Sequence, residues 1–116
     1  MLFTALIVED DSLQREILAD VLKAEGLEVI ECTTAEAAEL VLATTGLELR
    51  ALVTDVHLDG EMSGIELADY AKEKYPALNV IVMSGRDAPG LRQDTQFLQK
   101  PFSADVFIQA VNSGIR

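Results

Sequence analysis

The chain has 116 residues, of which 49% are hydrophobic, a length and content typical of one folded domain with its own core. Its 9 basic and 20 acidic residues give a formal net charge of -11, which argues against direct binding of nucleic-acid phosphates. The single cysteine excludes an intrachain disulfide and paired-thiolate metal sites, and neither a signal peptide nor a membrane-spanning run is apparent, so a cytoplasmic protein without membrane contact is expected.

The first strand and helix are marked by an apolar run followed by capping residues. Residues 3–8 predict a buried strand, and Asp11 or Ser12 is the expected N-cap of the next helix. Gly26 is expected to end that helix. Its apolar face, at helical spacing, is predicted to comprise Leu13, Ile17, Leu18, Val21 and Leu22.

A second strand and helix follow directly. Residues 27–31 predict a short strand, after which Cys32 is expected to be buried and unreactive. The sequence Thr33-Thr34-Ala35-Glu36 is typical of a capping box at the start of a helix. Gly46 is expected to end this alanine-rich helix.

Two further buried strands are predicted over residues 51–54 and 79–83. Between them, Ser63 and Glu66 have capping-box spacing and predict the start of a third helix. That helix is expected to run to about Tyr75, because the following proline cannot continue it.

The segment between the fourth and fifth strands departs from the alternation of strands and helices. Gly85, Pro89 and Gly90 stand where another helix would be expected, so at most one or two helical turns are predicted there. Residues 97–99 predict the fifth strand, and Ser103 is the expected N-cap of the last helix. The apolar face of that helix is predicted to comprise Val106, Phe107, Ala110 and Val111.

Strands alternating with helices indicate βαβ units, and therefore a doubly wound α/β fold with a parallel sheet and right-handed crossovers. Ligands of such sheets bind at the edge where the strands end. Polar side chains follow four of the predicted strands at that edge, and these are Glu9 and Asp10, Asp55, Ser84 and Lys100. The sequence therefore predicts one site built from these residues.

The chemistry of this set favours a metal and a phosphoryl group. Several carboxylates in one place are costly unless a cation offsets their charge, and Mg²⁺ prefers oxygen ligands. Asp55 stands apart from the other acids, and a carboxylate can act as a nucleophile toward phosphorus. The Lys100 ammonium and the Ser84 hydroxyl would then stabilise the oxygens of the transferred group.

In their order and identity these residues resemble the motifs of the receiver domain of two-component response regulators, the phosphoacceptor module of histidine-kinase signalling. The resemblance covers essentially the whole chain and implies a single receiver domain over residues 1–116. The family motifs are an acidic pair, a lone Asp, a Ser or Thr and a Lys-Pro pair after strands one, three, four and five. They correspond here to Glu9-Asp10, Asp55, Ser84 and Lys100-Pro101.

The resemblance implies a flavodoxin-like sheet of five parallel strands in the order 2-1-3-4-5, with helices on both faces. The first and last helices would share one face. It also implies that Asp55 is phosphorylated and that Asp10 binds Mg²⁺ directly, while Glu9 binds it through water. His57 would contribute its backbone carbonyl to the metal, with its imidazole exposed to solvent.

The resemblance also implies specific features at two other positions. The peptide bond between Lys100 and Pro101 is expected to be cis, which would direct the lysine side chain into the site. Phe97 matches the family's aromatic switch position, where a ring turns inward when Ser84 moves toward the phosphoryl group. An ordinary core phenylalanine is the open alternative at this position.

The implied partners are a histidine kinase or histidine phosphotransfer protein as donor, and an unidentified downstream protein. The domain would signal by changing shape and would promote only its own phosphorylation and dephosphorylation. A monomer or weak dimer is expected. The sequence leaves open whether the domain stands alone or is part of a longer regulator or hybrid kinase.

Two loops depart from the family pattern. The loop after Asp55 looks one residue longer than the common version, and Asp59 stands where many receivers have proline. Ser84 and Lys100 are 16 positions apart, fewer than receivers usually have. We therefore expect the family's fourth helix to be shortened or replaced by a loop.

Arg86 lies two positions after Ser84, where receivers vary in ways that tune the access of water to the phosphoryl group. A long cation there would shield or hold the phosphoryl group. The alternative is an ordinary surface ion pair with Asp87 or Asp94.

Two other functions share part of this residue pattern. An aspartate-nucleophile phosphatase of the haloacid dehalogenase type requires a second Asp two positions after its nucleophile, where this chain has His57. A pseudo-receiver, which binds partners without being phosphorylated, is suggested only by the unusual loops.

Overall fold

The computed structural model describes residues 3–87 and 90–113. Strands and helices alternate as far as the fourth strand, and a last helix follows the fifth. None of the described helices is long and apolar enough to span a bilayer. In chain order the elements are β1 (Thr4–Val8), α1 (Ser12–Ala24), β2 (Glu28–Cys32), α2 (Ala35–Thr45), a 3-10 turn (Gly46–Glu48), β3 (Leu49–Asp55), α3 (Gly64–Lys74), β4 (Asn79–Ser84), β5 (Gln96–Gln99) and α4 (Ala104–Asn112).

The described strands form one parallel sheet in the order β2-β1-β3-β4-β5, which confirms the predicted fold class. The register aligns the strand ends, because Val8 pairs with Thr54, Asp55 with Met83, and Ser84 with Gln99. The carboxyl ends of the inner strands and of β5 therefore meet along one edge of the sheet.

Helices cover both faces of the sheet. Because successive strand residues point to opposite faces, each strand contributes side chains to two cores. α1 and α4 pack on one face, against Ala5, Ile7, Val53, Ile81 and Met83. α2 and α3 pack on the other, against Leu6, Val8, Leu52, Val80 and Val82. The prediction that the first and last helices share a face is confirmed.

The helix N-termini are capped by side chains, mostly where the sequence predicts. Asp11 Oδ1 accepts the Gln14 N–H at 2.9 Å, and Ser63 and Glu66 form the predicted reciprocal capping box. Ser103 caps α4. At the described ends the boundaries agree with prediction to within a residue or two.

One predicted cap is wrong. The N-cap of α2 is Thr34, whose Oγ1 accepts the Ala37 N–H at 3.1 Å, so the capping box between Thr33 and Glu36 does not form. The Glu36 carboxylate instead accepts hydrogen bonds from another loop, and that tertiary contact outweighs the local one.

The predicted apolar face of α1 is too wide. Leu13 and Ile17 are 66% and 54% exposed, whereas the buried residues are Leu18, Ala19 and Leu22. Leu13 and Ile17 belong to a stripe rotated by about 140° from that of Leu18 and Leu22, so they lie outside the packed surface. Val106 of α4 is likewise exposed, while Phe107, Ala110 and Val111 are buried as predicted.

The shortened fourth helix is confirmed for the part of the segment that the structure describes. Residues 85–87 and 90–95 contain no helix, and Pro89 lies outside the described residues. Leu91 packs against the core on the α2 and α3 face, so the segment covers part of the sheet without being helical.

Candidate functional site

The edge formed by the strand ends carries the polar residues of the predicted site. Glu9 and Asp10 follow β1, Asp55 ends β3, Ser84 ends β4 and Lys100 follows β5. A pocket of about 420 Å³ opens at this edge. Its lining comprises Asp55, His57, Ser84, Gly85, Arg86 and Lys100.

Three carboxylates meet beside this pocket, and we call Glu9, Asp10 and Asp55 the acidic group. One oxygen from each lies within 4.8 Å of the others. Glu9 is 0% exposed, and its burial raises its pKa above the usual value, although hydrogen bonds from Lys100 and from the Asp11 N–H act in the opposite direction. Such crowding of acids is stabilised by a cation.

Lys100 supplies one cation at this site. Its Nζ donates hydrogen bonds to Glu9 Oε1 at 2.8 Å, to Gln14 Oε1 at 2.6 Å and to Asp55 Oδ2 at 3.3 Å. Burial alone would lower the pKa of Lys100, but the hydrogen bond to Glu9 and the charges of Asp55 and Glu9 outweigh it and raise the pKa. The ammonium therefore stays charged next to Asp55.

The backbone holds Lys100 in place. Its N–H donates to the Ser84 carbonyl at 2.8 Å, and its peptide bond to Pro101 is cis, as expected. Gln14 was not predicted as part of the site. The available signal was its position in the first turn of α1, four residues after the acidic pair.

Asp55 points its side chain into the polar site rather than into the core. The side chain is 14% exposed, and its Oδ1 accepts the Val56 N–H at 2.8 Å. The Thr54 hydroxyl donates to the Asp55 carbonyl at 2.9 Å, so its main chain is also fixed. One carboxylate oxygen therefore faces Lys100 and the pocket while the other is anchored by the backbone.

Ser84 contributes a buried hydroxyl, 2% exposed, to the same pocket. Its Oγ accepts the Arg86 N–H at 3.1 Å and can still donate its own proton. His57 lines the pocket with an exposed side chain, as expected. Phe97 is partly buried against the core on the α2 and α3 face.

The alternative account of Arg86 as half of a surface ion pair is not supported. Asp94 pairs with Arg92, whose Nε donates to Asp94 Oδ1 at 3.0 Å. Arg86 forms no ion pair within the part of the chain that the structure describes, and it lines the pocket instead. Cys32 is buried, as predicted, and burial raises the pKa of its thiol, which disfavours the reactive thiolate.

This arrangement of side chains is suited to binding a divalent cation and a phosphoryl group. The acidic group is an oxygen donor set suited to one hard divalent cation. Asp55 presents a carboxylate oxygen beside an ammonium and a hydroxyl, the groups that a transferred phosphoryl group needs around it.

The family model described as the response regulator receiver domain matches residues 5–112. The chain belongs to this family. It is therefore a response regulator receiver domain of two-component systems, a class of domain that generally acts as a signalling phosphoacceptor. The family match also excludes the alternative function of an aspartate-nucleophile phosphatase of the haloacid dehalogenase type.

Individual relatives agree with this assignment. The response regulator protein FleR of Pseudomonas aeruginosa is 36% identical over 112 residues, covering 91% of this chain and 23% of FleR. The transcriptional regulatory protein FixJ of Azorhizobium caulinodans is 33% identical, covering 94% of this chain and 53% of FixJ. The chain thus spans between about a quarter and a half of these relatives.

A solved structure agrees as well. The beryllofluoride-activated NtrC4 receiver domain dimer matches with a TM-score of 0.81 and 26% identity, covering 96% of this chain and 94% of that one.

Proposed function

We propose that residues 1–116 form one receiver domain that accepts a phosphoryl group on Asp55. The observation that carries this proposal is the position of the Asp55 carboxylate. Its Oδ2 lies 3.3 Å from the Lys100 ammonium, and one of its oxygens lies within 4.8 Å of carboxylate oxygens of Glu9 and Asp10. An acid serving only solubility would be exposed, whereas this one is held by its neighbours.

In the proposed step, an Asp55 carboxylate oxygen attacks the phosphorus of a phosphohistidine. A P–O bond forms, the P–N bond breaks, and the imidazole of the donor leaves with the bonding electron pair. Lys100 would donate a charge-assisted hydrogen bond to the phosphoryl group, and Ser84 a second from its hydroxyl.

The metal in this proposal is Mg²⁺. Asp10 and Asp55 would bind it directly, Glu9 through water, and His57 through its backbone carbonyl. When bound, the ion would neutralise charge on the phosphoryl oxygens. The crowding of the acidic group around one point supports this assignment, because a divalent cation offsets the repulsion among the three carboxylates.

For signalling, we propose that Ser84 moves toward the phosphoryl group and that Phe97 changes its packing in response. Phe97 is paired in register with Val82, two residues before Ser84, and is only partly buried. A partly buried ring on the strand that pairs with the strand of Ser84 is suited to such a coupled movement.

The proposed partners are a histidine kinase or histidine phosphotransfer protein as donor and a downstream protein as receiver of the signal. The net charge of -11 argues against direct contact with nucleic acid. A monomer or weak dimer is proposed, and the domain would act on no substrate other than its own phosphoryl group.

Incubation with Mg²⁺ and acetyl phosphate tests the proposal. We expect intact-mass spectrometry to show one added phosphoryl group, stable in acid and labile in base, that fails to form when EDTA removes the metal. Absence of any adduct in the presence of Mg²⁺ would contradict the proposal and favour the pseudo-receiver.

Arg86 is expected to prolong the life of the adduct. Because it lines the pocket without an ion-pair partner among the described residues, Arg86→Ala should make dephosphorylation faster by about threefold, the size of an exposed charge contact. The decay of purified phosphoprotein, followed by mass, measures this. Arg92→Ala is the matched control, because Arg92 forms an ion pair with Asp94 and does not line the pocket. Equal decay rates for Arg86→Ala and the wild type would show that Arg86 has no such role.

A further inference from the structure

The Glu36 side chain reaches beyond its own helix to a second loop. It lies in the first turn of α2, yet its Oε2 accepts the N–H groups of Glu61 and Met62, each at 3.0 Å. Hydrogen bonds from its own backbone and from those of Met62 and Glu61 lower the pKa of Glu36. A charged acceptor therefore holds two consecutive amides of the loop 56–63, which follows Asp55.

The loop 56–63 is held at two places. At its base, the Gly64 N–H donates to the Val56 carbonyl at 2.9 Å and closes the loop. Near its tip, Asp59 forms an isolated parallel bridge with Thr34, next to the Glu36 contacts. His57 lies between the base and the tip, so both attachments restrict where its backbone can lie.

The backbone of the loop is matched to the Glu36 carboxylate. Gly60 has a φ of +96°, a left-handed conformation that turns the following amides toward Glu36. A Cβ at Gly60 would lie only 2.8 Å from Glu36 Oε1, so the carboxylate sits directly against the loop. The turn at Gly60 and the Glu36 carboxylate are therefore packed against each other.

We propose that Glu36 is a positioning residue for the metal site, holding the loop 56–63 so that the His57 carbonyl is placed for the metal ion that the acidic group would bind. Glu36 would not touch the metal itself. This inference rests on the proposed function, in which His57 is a metal ligand. Groups that orient metal ligands in this way commonly change metal affinity about tenfold or more when removed.

Four variants separate the hydrogen bonds of Glu36 from its charge. Glu36→Ala removes both, Glu36→Asp keeps the charge on a side chain one methylene shorter, and Glu36→Gln keeps an oxygen acceptor without charge. Glu39→Ala is the control, because it removes an equal charge from the same helix without a hydrogen bond to the described part of the loop. Each variant would be titrated with MgCl₂ by calorimetry and phosphorylated with acetyl phosphate.

We expect Glu36→Ala and Glu36→Asp to raise the Mg²⁺ Kd by about tenfold, Glu36→Gln by less, and Glu39→Ala not at all. Phosphorylation of Glu36→Ala should be slow at limiting Mg²⁺ and recover at saturating Mg²⁺. The amides of Glu61 and Met62 should exchange faster in that variant by NMR.

Failure of this inference can be told apart from failure of the proposed function. Faster amide exchange with an unchanged Mg²⁺ Kd would overturn the inference, because Glu36 would then only hold the loop. A wild-type protein that binds no Mg²⁺ and forms no adduct would instead contradict the proposed function. Unchanged exchange in Glu36→Ala would show that the hydrogen bonds do not hold the loop in solution.

Discussion

Asp55→Asn is expected to abolish the acetyl-phosphate adduct, reducing its formation by at least about a hundredfold, the scale expected when a nucleophile is removed. The amide is nearly the same size as the carboxylate but is not a nucleophile toward phosphorus under these conditions. The variant should remain folded, because Oδ1 can still accept the Val56 N–H and the side chain is not part of the hydrophobic core.

Asp59→Asn provides the matched control for this experiment. Asp59 is an exposed acid only four positions further along the chain, and its replacement changes the net charge by the same amount. It should form the adduct at the wild-type rate. Beryllofluoride with Mg²⁺ should bind the wild type and Asp59→Asn but not Asp55→Asn, which tests the same geometry without turnover. An adduct that persists in Asp55→Asn would remove Asp55 from its proposed role.

The sequence predicts the location of the site well because the relevant signals are local. A polar residue placed directly after an apolar run, or one residue beyond it, marks the end of a buried strand, and a parallel sheet then brings such ends together. Asp55, Ser84 and Lys100 each carry this signal, and each lies at the predicted edge. Capping residues such as Ser63 are equally local, since cap and helix are adjacent in the chain.

The shortened helix-four region is predictable for a related reason. Gly85 and Gly90 disfavour a helix whatever lies around them, because glycine loses more backbone conformational entropy than other residues when it becomes helical. The described residues of the segment are accordingly not helical. The family resemblance adds what local signals cannot supply, namely the strand order and the cis peptide before Pro101, both of which the structure shows.

The failed predictions concern partners that are distant in the chain. Glu36 has the spacing of a capping-box residue, but its partners are 25 and 26 positions away, and no local pattern indicates them. Gln14 reaches Lys100 across 86 positions. The exposure of Ile17 depends on where α1 lies on the sheet, which the helical repeat alone does not determine.

Gly64 is a position where the structure reveals a constraint that the sequence conceals. Its place as the first residue of α3 suggests only a tolerated helix start. In the fold, however, a Cβ there would overlap the Asp55 carbonyl oxygen and lie 2.7 Å from its carbon and 2.9 Å from Thr54 Oγ1. The start of α3 is therefore packed directly against the backbone of the proposed phosphoacceptor.

Gly64→Ala is accordingly expected to lower the free energy of unfolding by about 3 kcal/mol, at the upper end of overpacking effects, because backbone atoms must move to admit the methyl group. The melting temperature should fall by about 10 °C. Since the displaced atoms belong to Asp55, adduct formation at a temperature where the variant is folded should also be slower. Circular dichroism melting and the acetyl-phosphate assay measure the two effects.

Gly85→Ala is the control for Gly64→Ala, because a Cβ at Gly85 would meet no described atom within 4 Å and the backbone there is not left-handed. Its stability should stay within about 0.5 kcal/mol of the wild type. If Gly64→Ala melted as the wild type does, the contact between α3 and the Asp55 carbonyl would be looser than the structure shows. If it lost stability but phosphorylated normally, the helix start would support the fold without positioning Asp55. Slower phosphorylation by the folded variant would instead show that α3 fixes the position of the nucleophile.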